Sequence, residues 1–237
     1  MNRDAKTSAA LVALARTRRM QRAVAHAYLH RDAPSQTIRG SLGFLLGTSR
    51  TAQDARAHGD RMQILGVDRD ADVAYVIEQP ALASDQRSAA VPIVYRLYLS
   101  GARAGHVVPM RAWYEADVDE AAIRERVATL MPMLAPVMRA TTEAWMLSTR
   151  VVHRRALRVG ADAQPIRKFA LQLRVEPVSG TGPLGYTTVT SYLTPNAELI
   201  EVSTIPGNSD LAIARVRYAG IASGLGVSKE TCLLLVG

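Results

Sequence analysis

His26 and His30 stand four residues apart, and Arg22 stands four before His26. Thr17 can cap a helix running from Arg18 to about His30, where residues four apart share a face. One face then presents a guanidinium and two imidazoles. An imidazole with a pKa of about 6.5 exchanges protons at neutral pH, while a guanidinium only holds charge. General acid–base catalysis by a histidine, with Arg22 stabilising charge, is the chemistry this spacing allows. The plainer reading is a solvated basic helix that also carries Arg18 and Arg19.

Two further stretches could meet an anion. Arg150, His153, Arg154, Arg155, Arg158, Arg167 and Lys168 fall close together, with no acidic residue between Glu143 and Asp162. Read as the end of a helix from Val137 to about Arg158, this segment places Arg150, Arg154 and Arg158 at four-residue intervals. Such pairs repel unless an anion neutralises them, which points to phosphate. The alternative is a solvated helix end favoured by the helix dipole. Near the C-terminus, Gly220, Gly224 and Gly226 precede Lys229 and an apolar run through Val236. Glycines let backbone N–H groups approach an anion closely, or simply let the chain turn.

The chain as a whole suits an acidic partner. Its 237 residues carry 29 Lys and Arg against 21 Asp and Glu, a formal net charge of +8. That balance favours nucleic acid first and an anionic membrane surface second. Arginine supplies nearly all of it, since the only lysines are Lys6, Lys168 and Lys229. Arginine suits bidentate phosphate recognition, though a GC-rich genome also enriches it. The single cysteine, Cys232, lies in an apolar run and reads as a buried thiol. The five histidines are scattered, with no carboxylate at ligand spacing, so no metal or cofactor is expected. No apolar run reaches the length of a membrane span, and arginines interrupt the only candidate signal segment. A soluble cytoplasmic protein is the expectation.

The elements that would position these residues alternate between helix and strand. Strands are expected at Ile38–Leu46, Met62–Val67, Val73–Ile77, Val91–Leu99, Arg167–Glu176, Tyr186–Leu193 and Glu198–Ile205. Val107–Trp113 can return as a hairpin partner of Val91–Leu99. Helices are expected at Arg18–His30, Thr51–His58, from Asp117 as cap to the Pro132 and Pro136 breaks, over Val137–Arg158, and over Asn208–Tyr218. The polar connection Pro80–Ala90 is the best domain boundary.

Two segments carry a family resemblance. Asn208–Leu235 reads as a helix, a G-φ-G-x-x-K loop (Gly224, Gly226, Lys229) and a closing apolar strand. Ala9–Pro34 reads as a first strand and a helix bearing Arg22, His26 and His30. The order resembles the RNA-processing endoribonucleases of CRISPR systems, members of the repeat-associated mysterious protein (RAMP) superfamily. Arginine richness and a helical finger are similar to the type IV version. The second G-x-G that usually follows the loop lysine is Thr231-Cys232-Leu233 here.

The resemblance implies an α+β fold of two ferredoxin-like (RAMP/RRM-like) units. These would be residues 1–88 and 89–237, the second with a helical insertion at about 117–158. It implies an endoribonuclease that binds the repeat hairpin of precursor CRISPR RNA. The enzyme would cut without metal by attack of a ribose 2′-hydroxyl, and could stay on as an effector-complex subunit. Catalysis would fall to His26, Arg22 and His30. RNA binding would fall to Arg18, Arg19, Arg39, Arg150, Arg154, Arg155, Arg158, Lys168, Gly224, Gly226 and Lys229. The basic helix would suit the deep, narrow major groove of the stem. A non-catalytic RNA-binding subunit, and a small-molecule enzyme with a basic pocket for an acidic metabolite, are the rival expectations.

Overall fold

A computed structural model describes residues 59–80, 91–114, 118–157, 166–220 and 228–237. Among them, eleven strands form three antiparallel sheets. The first sheet takes β1 (Arg61–Asp68), β2 (Val73–Gln79), β3 (Ile93–Tyr98) and β4 (Val107–Pro109), in that order. The central sheet has the order β11 (Ser228–Val236), β10 (Asn208–Ala219), β9 (Ala197–Ile205) and β5 (Met138–Ala140). The third is a run of β6 (Trp145–Leu157), β7 (Ile166–Pro177) and β8 (Gly185–Tyr192). One α-helix, α1 (Glu120–Leu130), completes the described regular structure together with short 3-10 turns. This is α+β in the broad sense, with antiparallel sheets and helix segregated.

The elements stack as layers, and side-chain alternation shows the order. In β7, Phe169, Leu171, Leu173 and Val175 join a core with Ala212, Ala214, Val216 and Tyr218 of β10 and Leu233 and Leu235 of β11. The opposite face of the central sheet, through Ile213, Cys232 and Leu234, packs on Ala74, Val76 and Leu97 of the first sheet. The far face of the first sheet, through Val73, Tyr75, Ile77 and Val94, packs on Ile123 and Leu130 of α1. Strands β10, β11 and β2 are therefore covered on both faces. That accounts for the unbroken apolar runs Cys232–Val236 and Val73–Ile77.

The strands expected at 62–67, 73–77, 91–99, 167–176, 186–193 and 198–205 are all present within a few residues, as is the β3–β4 hairpin. Strands β2 and β3 are hydrogen-bonded neighbours, so the connection 80–90 joins two strands of one sheet. Two expected helices are strands. Asn208–Tyr218 is β10, and the segment read as a helix from Val137 to Arg158 holds β5 and the 13-residue β6. Among the described residues of the expected insertion at 117–158, only α1 is helical beyond single 3-10 turns. Its cap is Asp119, whose carboxylate accepts from Ala122 N at 2.8 Å, in place of the expected Asp117.

The physical reasons are local. Ala212 and Ala214 favour a helix intrinsically, yet they sit where two sheets approach, and a small side chain suits that contact. The segment 149–152 is Thr-Arg-Val-Val, and its β-branched residues fit a strand better than a helix. A bulge in β1 at Gly66, with φ +154, lets that strand meet the segment after α1. A Cβ there would lie 2.8 Å from Leu134 Cβ.

Candidate nucleic-acid interface

The register of β6, β7 and β8 arranges the outer face of their sheet in rows. Directly paired residues share a face. Since Phe169, Leu171, Leu173 and Val175 point into the core, Lys168, Ala170, Gln172 and Arg174 point away from it. Their partners complete four rows. These are Ser148–Arg174–Tyr186, Arg150–Gln172–Thr188, His153–Ala170–Thr190 and Arg155–Lys168–Tyr192, of which Tyr192 alone is buried. A bulge between Val151 and His153 keeps both Arg150 and Arg155 on the outer face. At about 3.3 Å per residue, the Arg155 and Arg174 rows lie about 20 Å apart.

Charge on this face is one-sided. The outer face carries Arg150, Arg155, Lys168 and Arg174, and the only carboxylate of the three strands is Glu176. Glu176 is already engaged by Arg174 at 2.6 Å. Arg150 and Arg155 are exposed and Lys168 is half-buried, and among the described residues none of the three makes an ion pair. Arg155 and Lys168 stand directly across from each other, and like charges so paired repel, a cost that a bound polyanion would relieve.

The expected RNA-binding residues therefore separate into four groups, of which buried Lys229 is the last. Arg150, Arg155 and Lys168 come together on one sheet face. Arg154 pairs with Phe169 on the inner side, its guanidinium 5.9 Å from the ring centroid. The four-residue intervals that suggested a repelling helical stripe carry no such meaning in a strand. Arg18, Arg19, Arg39, Arg158, Gly224 and Gly226 lie outside the described residues, as do the expected catalytic residues Arg22, His26 and His30.

Lys229 has a different environment from the one its loop suggested. It sits at the start of β11 and is buried, 7% exposed. Its ammonium lies 2.9 Å from Glu78 Oε1 on β2 and 3.6 Å from Asp60 Oδ2. The Tyr95 hydroxyl donates to the other Glu78 oxygen at 2.5 Å. Burial alone would raise the Glu78 pKa, but Lys229, Asp60 and Tyr95 together bring it below its ordinary value. Burial and the Glu78 charge push Tyr95 well above the ordinary tyrosine value. Lys229 thus joins the central sheet to the first one.

A second ionic cluster lies nearby. Glu230, 1% exposed, accepts from Met62 N at 2.9 Å, from Arg215 Nη1 at 3.2 Å and from Arg217 Nη2 at 2.9 Å. Arg215 also reaches Glu201 at 2.7 Å. Sequence reasoning missed both clusters, and it missed Arg174 and Tyr186 on the basic face. The alternation of β7, Lys168-Phe169-Ala170-Leu171-Gln172-Leu173-Arg174, carried the signal for Arg174.

Comparison of the chain with family models, curated proteins and solved structures gives no match. Among the described residues, no helix is long and apolar enough to cross a membrane.

Proposed function

We propose that the protein binds RNA through the outer face of the β6–β7–β8 sheet. One observation carries this reading. Arg150, Arg155 and Lys168 share that face without an ion pair among the described residues, and its only carboxylate, Glu176, is held by Arg174. An extended basic sheet presents cations along a line, as a sugar–phosphate backbone requires. A metabolite enzyme would need a closed pocket with one or two arginines. That the polyanion is RNA rests on the family resemblance of the sequence.

The finer form of the proposal follows the same resemblance. The RNA would be a CRISPR repeat hairpin, and the chain two ferredoxin-like units acting as a metal-independent endoribonuclease. His26, Arg22 and His30 would align the 2′-hydroxyl, move its proton and stabilise the phosphorane. A non-catalytic RNA-binding subunit is favoured by one observation, the engagement of Lys229 by Glu78 inside the fold. That contact draws the loop lysine away from a reacting phosphate.

Fluorescence anisotropy with a labelled repeat RNA tests the binding proposal. Replacing Arg150, Arg155 and Lys168 together by alanine should weaken affinity strongly while the protein stays folded. Unchanged affinity would refute it. Incubating the same RNA with EDTA present separates the two finer readings. A 2′,3′-cyclic phosphate product lost in His26→Ala supports the nuclease, and intact RNA supports the binding subunit.

A further inference from the structure

Resting on the RNA-binding reading, we propose that Tyr186 is a base-stacking residue that makes this face selective for single-stranded RNA. Tyr186 is 71% exposed in a strand whose neighbours Gly185 and Val189 are buried. It closes the row Ser148–Arg174–Tyr186, directly across from Arg174 and on the same face as Arg150 and Lys168. A large aromatic side chain left in water at the end of a cationic track offers a π-face to a base, while the cations hold the adjoining phosphates.

The residues between support a flat track. Ala170, Gln172, Thr188 and Thr190 occupy the middle rows, and none is bulky or acidic. A flexible strand can lie along such a surface and turn one base onto the ring. A duplex keeps its bases stacked inside and can offer this face only phosphates and ribose edges. Charge therefore serves both forms of RNA, and Tyr186 serves only the unpaired one.

The test measures affinity for a short oligouridylate and for a duplex RNA of equal length. Wild type, Tyr186→Ala and Tyr186→Phe are compared, each over a range of salt. Tyr186→Ala should weaken oligouridylate binding about 5- to 150-fold, the range expected for one stacked base. Duplex affinity and salt dependence should be unchanged, and Tyr186→Phe should bind like wild type. Equal binding of oligouridylate by Tyr186→Ala and wild type overturns the stacking role. An equal loss for duplex overturns the selectivity. If the Arg150, Arg155 and Lys168 alanine variant binds both RNAs like wild type, the site itself is elsewhere, a failure distinct from the first two.

Discussion

Replacing Lys229 by methionine separates a structural lysine from a phosphate ligand. In the fold, the ammonium sits 2.9 Å from Glu78 Oε1, with side-chain exposures of 9% and 2% for the pair. Asp60, also buried, lies 3.6 Å away. Methionine keeps most of the stem's volume and removes the charge. Two buried carboxyl groups then lose their cation, and breaking one side of a buried ion pair costs about 3–5 kcal/mol. That is a large share of the roughly 5–15 kcal/mol that holds an ordinary domain folded. Urea unfolding should show the loss directly as a lower midpoint.

Acid titration supplies an independent check on the same pair. Glu78 titrates below its ordinary value of 4.5 in the folded state. Its contribution is therefore present above pH 4.5 and is lost as pH falls through the lower folded value. Wild type should lose stability across that window more steeply than Glu78→Gln. A loss of RNA affinity in Lys229→Met, with stability within about 0.5 kcal/mol of wild type, would refute this assignment. Such a change is ordinary for an exposed side chain.

Burial pushes the Cys232 thiol up to about 12, and the residue is 3% exposed. Iodoacetamide at neutral pH should therefore modify it only as fast as the protein opens, and rapid labelling of the native state would contradict its place in the core. Gly185→Ala should lower the unfolding free energy by about 1–3 kcal/mol through overpacking, read as a lower urea midpoint, because its Cβ would meet Leu234 O of β11 at 2.1 Å. An unchanged midpoint would show that β8 and β11 can separate at no cost.

The sequence made half-buried strands legible wherever alternation was strict. Arg167–Glu176 is the example, and it is a strand in the fold. It was ambiguous where both faces are covered. In Leu211–Tyr218 the apolar residues satisfy a period of two and a helical period alike, and only the sheets on either side decide. Charge clusters were legible as composition but not as surfaces. Arg150, Arg154 and Arg155 were grouped by spacing, and a bulge then sent Arg154 to the opposite side. The role of Lys229 was invisible for a different reason. Its partner Glu78 lies 151 residues away in the chain, and no local pattern links them.

The salt dependence of RNA binding tests the central claim most directly. Three phosphates neutralised by Arg150, Arg155 and Lys168 release their counter-ions and contribute about −2 to the slope of log affinity against log salt, at roughly −0.7 per phosphate for a single strand. The wild-type slope contains this contribution together with that of any other basic segment. The triple alanine variant should therefore show a slope shallower by about 2. A variant slope equal to that of wild type would mean that this sheet face meets no RNA.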